Sequence, residues 1–425
     1  MGEFRFIHAA DLHLGSPFKG LRSMDPHIGE LLSSATFSAF DNIINACLEQ
    51  KVDFLLIAGD IFDAEDRGLK PQLYFREGLL RLSNSGIASF VVHGNHDPLS
   101  GWIADLGWSP MTKIFSEKIE TVPFVRNGEI LAHIQGQSHA KPKVTENLAK
   151  RFKHPQDSPF SIGLLHANVG TDTGHDPYAP CTLEDLRSAG LNYWALGHVH
   201  SKGVLQEKNP AIVFPGNPQG LHIREIGQRG VYLVHVVDTE IRNLEFLPMD
   251  IVRWEDLSGK RAIDFSSVET EDQAMNILEK KCEKLVSDSK PRHIIARLTL
   301  SGRTPFHRTL CRENLVSDLE SFLREKFAQK KPFAWIDRIN NRTFPPIDLE
   351  ARKSGEDFIA ELLKVMDALD TPDQKEEMLK QALSPLYESR AWLRSIPMPK
   401  GEDFLRMFEE ARIVILNYLI DEETQ

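Results

Sequence analysis

At 425 residues the chain exceeds the roughly 250 to 300 at which a single hydrophobic core stops growing, so two or three domains are expected. Hydrophobic residues at 41% and charged residues at 26% exclude a disordered or fibrous chain, and no long uncharged apolar run suggests a signal peptide or membrane span, so a cytoplasmic globular protein is expected. A formal net charge of -11 excludes holding nucleic acid by overall positive charge; such contact must come from local basic patches, bound metal ions or a partner subunit.

Between residue 4 and about 237, short apolar runs alternate with helical patterns, as in layered α/β architecture. The runs are Phe4 to Ala10, Phe54 to Ala58, Phe90 to His93, Ile130 to Ile134, Ile162 to His166, Tyr193 to Leu196, Ile212 to Phe214 and Val231 to Val237. Continuous runs of this length suit strands buried on both faces. Leu31, Leu32, Phe37, Phe40, Ile43, Ile44 and Leu48 recur at helical spacing, a second helix is expected over about Pro71 to Ser83, and Thr182 with Asp185 resembles a capping box opening a third at Leu183. After about residue 247 the polar segment Asp250 to Ser267 reads as a boundary, followed by a helix near Glu271 to Val286, a strand Ile294 to Leu300, a helix Arg308 to Phe327 and a strand Phe333 to Ile339. From Gly355 the pattern is helical, with Phe358, Leu362, Met366 and Leu369 on one face, Thr371 to Gln374 as a cap, and a last amphipathic helix carrying Phe404, Leu405, Phe408, Ile415 and Leu419. Cys47, Cys181, Cys282 and Cys311 lie far apart without a C-x-x-C pair, which points to reduced, structural thiols.

Polar residues cluster at the ends of the apolar runs. Five runs end in residues able to hold a metal: Asp11 and His13, Asp60, Asn95 and His96, His166, and His198 and His200. In an open α/β sheet, ligands bind beyond the carboxyl ends of the strands, so these segments are expected to meet at one rim. One intervening residue between Asp11 and His13, and between His198 and His200, projects each pair to one side if the strand continues. The plainer reading of any one of them is a strand-end turn residue, where Gly, Asp and Asn are common. The mixed oxygen and nitrogen set without thiolate suits Mn²⁺, Mg²⁺, Fe²⁺ or Zn²⁺ in an open site.

Asp11-x-His13, Gly59-Asp60, Gly94-Asn95-His96-Asp97, His166 and Gly197-His198-x-His200, in this order, resemble the motif set of the calcineurin-like metallophosphoesterases. The strings His8-Ala-Ala-Asp11-Leu-His13-Leu-Gly, Phe214-Pro-Gly-Asn-Pro-Gln219 and Ala296-Arg-Leu-Thr-Leu-Ser-Gly302 are similar to the SbcD/Mre11 branch, and most of all to bacterial YhaO-type proteins, over roughly residues 4 to 345. The resemblance implies a metallophosphoesterase β-sandwich flanked by helices in residues 1–247 and a small α+β capping domain in 248–345; the pattern of 346–425 gives a helical C-terminal region whose apolar stripe suits internal packing or a partner-docking surface. The resemblance also implies one metal held by Asp11, His13, Asp60 and His200 and a second by Asp60, Asn95, His166 and His198, most naturally a Mn²⁺ pair activating hydroxide. His96 is then the non-ligand catalytic histidine, oriented by Asp97. The implied function is a DNA repair exonuclease working with an SMC-like coiled-coil ATPase, with room for a homodimer. The rivals are a phosphodiesterase or phosphatase for small molecules or phosphoproteins, and a non-catalytic DNA-end-binding subunit. Some family members carry a His shortly after the bridging Asp, where this chain has Asp63, which bears on substrate handling.

The other histidines read as bystanders. His8 and His93 suit packed or supporting positions, and His133, His139, His154 and His235 have no partnering motif. His175 stands in a Gly/Pro-rich loop that borders the site in sequence. His222 and Arg224 follow the Pro215 to Gln219 turn and suit either a phosphate contact or a solvated turn. Lys141, Lys143, Lys150, Arg151 and Lys153 form a basic stretch, more often a solvated face than a nucleic-acid track.

Overall fold

The computed structural model describes residues 2–16, 18, 26–63, 68–102, 104, 106–170, 178–312, 314–347, 353–369, 371–388 and scattered positions between 404 and 419. The chain divides into two compact units, one of Met1–Arg261, Asn276–Leu298 and Ser317–Ile339, the other of Ala262–Met275, Thr299–Val316 and Asn340–Gln425.

The first unit opens with β1 (Glu3–Ala9), α1 (Pro26–Glu49), β2 (Phe54–Ala58), α2 (Leu69–Asn84), β3 (Ala88–Val92), β4 (Thr112–Ile114), β5 (Glu120–Arg126) and β6 (Glu129–Gln137). It continues through β7 (Ser161–His166), α3 (Leu183–Ser188), β8 (Tyr193–Gly197), β9 (Gly203–Gln206), β10 (Ala211–Phe214), β11 (Gly230–Val237), β12 (Glu240–Pro248) and β13 (Val252–Leu257). One sheet has the order β12-β11-β1-β2-β3-β4, the other β5-β6-β7-β8-β10-β9. Strands β2, β3, β7 and β8 are buried at every position, as continuous apolar runs require.

Three hydrophobic layers hold this part together. Between the sheets, Phe6 and Phe54 stack at 5.1 Å, Tyr193 meets Phe6 edge-on at 5.2 Å, and Leu56, Phe90, Ile134, Ile162 and Leu164 fill the remainder. Outside the first sheet, α1 and α2 lay Phe40, Ile43, Ile44, Phe75 and Leu79 over Ile7, Leu55, Ile57 and Val91. Outside the second, Leu148, Phe152 and Leu186 cover Leu165, Trp194 and Leu196. Each such side chain contributes about 1.5 to 3 kcal/mol by leaving water. Helix α3 starts in the expected capping box, with Thr182 Oγ1 accepting from Asp185 N at 3.1 Å and Asp185 Oδ2 accepting from Thr182 N at 2.9 Å. The mixed α/β sandwich flanked by helices is therefore observed.

The remaining elements are β14 (Ile263–Asp264), α4 (Glu271–Ser289), β15 (His293–Arg303), α5 (His307–Leu310), α6 (Leu315–Ala328), β16 (Ala334–Phe344), α7 (Phe358–Asp367) and α8 (Pro372–Glu388). In the first unit β13 runs parallel to β15 from Val252 opposite His293 to Leu257 opposite Leu298. In the second unit β14 lies against Leu300 and Ser301.

Three local expectations are corrected. The segment read as a polar boundary holds β13, whose Val252, Arg253, Trp254 and Leu257 are buried; Arg253 is tolerated because its guanidinium pairs with Asp250 at 2.8 Å. The helix expected from Arg308 to Phe327 is broken near Asn314, which takes a left-handed φ of 83° that no helix accommodates. The buried stripe of α7 is Ile359, Ala360, Leu363 and Met366, and Phe358 is 69% exposed. Phe404, Phe408, Ile415 and Leu419 are helical, the first two buried, and Leu405 lies outside the described residues. Among the described residues no helix is long and apolar enough to cross a membrane.

Candidate metal centre

Five strand ends build the site. Strands β1, β2 and β3 are parallel in one sheet and β7 and β8 in the other, so the residues that follow them emerge at one edge of each sheet. Backbone hydrogen bonds bind the exits together: Asp11 N donates to Gly59 O and His13 N to Asp60 O, both at 3.0 Å. His166 Nδ1 stands 2.9 Å from Ala58 O, which joins the second sheet to the first. Asp11, His13, Asp60 and His198 have φ of 51°, 44°, 50° and 101°, a conformation that costs of order 1 to 3 kcal/mol each and persists where surrounding structure enforces it. The first strand therefore does not continue through Asp11 and His13, and the loop rather than a continued strand aims their side chains.

Two glycines make room for the cluster. A Cβ on Gly94 would stand 2.3 Å from Asp60 Oδ1, and one on Gly59, at φ 89°, would stand 2.4 Å from His166 Nδ1.

All seven residues read as ligands meet here. His13 Nε2 lies 3.2 Å from His200 Nε2 and 4.0 Å from Asp60 Oδ2. His166 Nε2 lies 3.3 Å from Asp60 Oδ2 and 2.9 Å from Asn95 Oδ1, which in turn lies 3.2 Å from His198 Nδ1. Asp11 accepts from His198 N at 3.0 Å and stands 3.8 Å from His166 Nδ1. Ligand atoms of Asp11, His13 and His200, and of Asp11, Asp60 and His166, lie within 4.8 Å of one another. Asp11 and Asp60 are buried, and among the described residues their ion pairs come from histidines alone. Buried carboxylates facing imidazoles instead of Lys or Arg fit a divalent cation, as does an oxygen and nitrogen donor set.

His96 stands at the edge with its side chain 48% exposed, its backbone N donating to Asp60 Oδ1 at 2.9 Å. Its Nδ1 pairs with Asp63 Oδ1 at 2.9 Å, and the same oxygen is 3.0 Å from His13 Nδ1. Ser16 Oγ donates to the other Asp63 oxygen. The expectation that Asp97 orients His96 is overturned. Asp97 is fully buried, accepts from Gly94 N at 2.7 Å and Ile61 N at 2.9 Å, and meets His93 Nδ1 at 3.1 Å. It braces the turn, and Asp63 holds the imidazole. A second carboxylate that the sequence reading did not single out, Glu225, stands 2.6 Å from His200 Nδ1.

Electrostatics follow from this crowding. Burial pulls His13 down, but the Asp63 hydrogen bond and the charges of Asp60, Asp63 and Asp11 outweigh it and lift it to about 9. His166 likewise rises to about 9 against burial, through the charge and hydrogen bond of Asp60. Burial pushes Asp60 up, yet His166, His13 and His96 hold it well below the usual carboxylate range. The Asp63 hydrogen bond raises His96.

Of the bystanders, His8 is buried against the Tyr193 hydroxyl at 3.0 Å and His139 Nε2 donates to His166 O at 2.7 Å. Lys150 pairs with Asp185 at 3.7 Å and Arg151 with Glu146, so part of the basic stretch is matched by acids. Arg224 is exposed, and His175 lies outside the described residues.

Comparison with known proteins agrees with this geometry. The family profile for calcineurin-like phosphoesterase matches residues 4–202, and that for the middle domain of metallophosphoesterase YhaO matches residues 259–344. The chain is 34% identical over 419 residues to the uncharacterized metallophosphoesterase YhaO of Bacillus subtilis (strain 168), covering 98% of each chain. It belongs to the YhaO-type metallophosphoesterases. This metallophosphoesterase is also 28% identical over 241 residues to the DNA double-strand break repair protein Mre11 of Sulfurisphaera tokodaii, spanning 53% of this chain and 57% of that one. Among solved structures it is similar to a dimetal phosphatase from Danio rerio, at 10% identity and a TM-score of 0.35, over 58% of this chain and 97% of that one. Divalent metal chemistry is the business of this family, and the residues gathered here are its candidate ligands.

Proposed function

We propose that this metallophosphoesterase is a metal-dependent nuclease that hydrolyses phosphodiester bonds in DNA, as a repair exonuclease does. The observation that carries the hydrolytic part is the convergence of seven nitrogen and oxygen donors, Asn95 and His198 joined to the others through His166, beside an exposed His96 pinned through Nδ1 by Asp63. The similarity to a protein named for DNA double-strand break repair supports DNA as the substrate. One metal would be held by Asp11, His13, Asp60 and His200 and the other by Asp60, Asn95, His166 and His198, with Mn²⁺ as the proposed native ion. A metal pair in such a site polarises phosphoryl oxygens and acidifies water.

The chain's own residues do the rest. Backbone bonds between the strand exits hold the donors at fixed separations, so little reorganisation is needed on loading. Asp63 occupies one ring nitrogen of His96 and leaves the other to protonate the departing oxygen. We assign the nuclease domain to residues 1–247, the capping domain to 248–345 and the partner-docking region to 346–425, a division supported by the profile matches at 4–202 and 259–344. Exposed Phe358 and Val365 in the last region support docking of a partner; we propose an SMC-like ATPase as that partner and the cytoplasm as the place of action.

The test is cleavage of single- and double-stranded DNA with Mn²⁺ by the wild type, His96→Ala and Asp60→Ala. Cleavage by the wild type and its loss in both variants is expected. No cleavage with any divalent metal, or turnover of bis-p-nitrophenyl phosphate without any polynucleotide, overturns the nuclease reading.

A further inference from the structure

We propose that Glu225 is a positioning residue that sets the ring tautomer of His200 and, through it, the strength of one metal position; the inference rests on the ligand reading above.

Glu225 is buried in the loop between β10 and β11, and both its oxygens are committed. One stands 2.6 Å from His200 Nδ1 and 3.5 Å from His222 Nε2. The other accepts from Leu221 N at 2.7 Å and Asn217 Nδ2 at 3.0 Å. Behind them Arg229 donates to Asn217 Oδ1 at 3.0 Å, to Glu225 O at 3.2 Å and to His200 O. Asn217 N also donates to His200 O at 3.2 Å. One buried network thus grips both the backbone and the ring of His200.

An ionised carboxylate only accepts, so the His200 hydrogen facing it must sit on Nδ1. That leaves the Nε2 lone pair, 3.2 Å from His13 Nε2, for a metal. A carboxylate behind a ligating imidazole fixes ring orientation and raises ligand basicity, and its loss weakens metal binding about 10- to 100-fold.

The near-isosteric Glu225→Gln separates this role from simple packing. An amide has one acceptor end and one donor end. Two donors, Leu221 N and Asn217 Nδ2, fix the acceptor end on their side. The amide NH₂ then faces His200 Nδ1, which must accept, and the ring hydrogen moves to Nε2, where the metal has to bind.

The experiment measures Mn²⁺ binding by equilibrium dialysis on the full chain. It also reads the His200 ring by ¹⁵N NMR of the metal-free protein at a pH where the ring is neutral. The wild type is expected to bind two Mn²⁺ and to carry the Nδ1–H tautomer. Glu225→Gln is expected to bind one of the two about 10- to 100-fold more weakly and to show the Nε2–H tautomer, while His222→Gln binds both as the wild type does. If the wild type binds two ions and Glu225→Gln matches it in affinity or tautomer, or if His222→Gln loses a site equally, the role of Glu225 is refuted and the ligand reading stands. A wild type that binds fewer than two ions refutes the ligand reading and this inference with it. Should Glu225→Gln fail to fold, an Nε2–H tautomer in the wild type overturns the proposal by itself.

Discussion

Asp63 Oδ1 lies 2.9 Å from His96 Nδ1 and makes the exposed imidazole part of the fold rather than a free side chain. If His96 supplies the proton to the leaving oxygen, His96→Ala lowers kcat by about 10²- to 10⁴-fold. Asp63→Asn, which keeps the shape but not the charge, is expected to lower kcat by about 10- to 100-fold at saturating Mn²⁺ and, because the same oxygen backs His13, to weaken Mn²⁺ binding as well. With Mn²⁺ saturating, so that the contact of Asp63 with His13 does not limit loading, Asp63 acts through His96 and the double variant is no slower than His96→Ala by more than a few-fold. A steady-state cycle on one DNA substrate checks this; fully additive losses would mean that the two groups act separately.

Gly94 leaves no space for a methyl group. Its added Cβ would lie 2.3 Å from Asp60 Oδ1 and 2.9 Å from both Asp60 N and His166 Cδ2. Gly94→Ala should therefore displace the Asp60 carboxylate, the proposed shared ligand, and weaken Mn²⁺ binding by at least about tenfold, a ligand-shell effect of the usual size. The far-UV circular dichroism spectrum is expected to stay that of the wild type. Unchanged Mn²⁺ affinity would show that Asp60 can retreat without cost.

Burial of His8 predicts acid sensitivity of known sign. Desolvation pushes its pKa from 6.5 down to about 3, so between those values the unfolded chain binds a proton that the folded chain refuses. Stability from this group is present above 6.5 and lost as pH falls towards 3. Between pH 7.5 and 5.5 that loss amounts to about 1.4 kcal/mol. Urea unfolding of the metal-free protein at both pH values should show His8→Gln losing about that much less than the wild type. Equal losses would place the His8 ring in a more hydrated setting.

The register of α7 is testable in the same terms. Leu363 is fully buried and Phe358 is 69% exposed. Leu363→Ala is expected to cost about 2 to 5 kcal/mol and Phe358→Ala less than about 0.5 kcal/mol. Amide exchange across residues 358–367 reads the difference, and a larger effect at Phe358 would restore the stripe predicted from spacing.

How far the fold and site were legible depended on where each residue's physics is written. Asp11, His13, Asp60, Asn95, His96, His166, His198 and His200 stood out because each closes an apolar run, and parallel strands bring such ends to common edges. The buried strands β2, β3, β7 and β8 were readable for the same reason. The edge strand β5 was not, since it is half-exposed and carries Pro123. Asp97 misled because adjacency in sequence says nothing of direction, and its carboxylate turns back on Gly94 N and Ile61 N. Glu225 left no local signal: its partner His200 is 25 residues away, and only the folded loop brings them together. The one hint was the unusual density of Asn, Gln, His and Arg between Asn217 and Arg229.

The most direct test of a two-metal phosphodiesterase is one titration of metal-free protein with Mn²⁺, following bound ions per chain and cleavage of end-labelled DNA in the same samples. Cleavage should appear only as the second ion binds, and Asp60→Ala, which removes the proposed shared ligand, should bind poorly and cleave nothing. Cleavage that saturates with one ion per chain, or two bound ions with intact DNA under every condition, would contradict it.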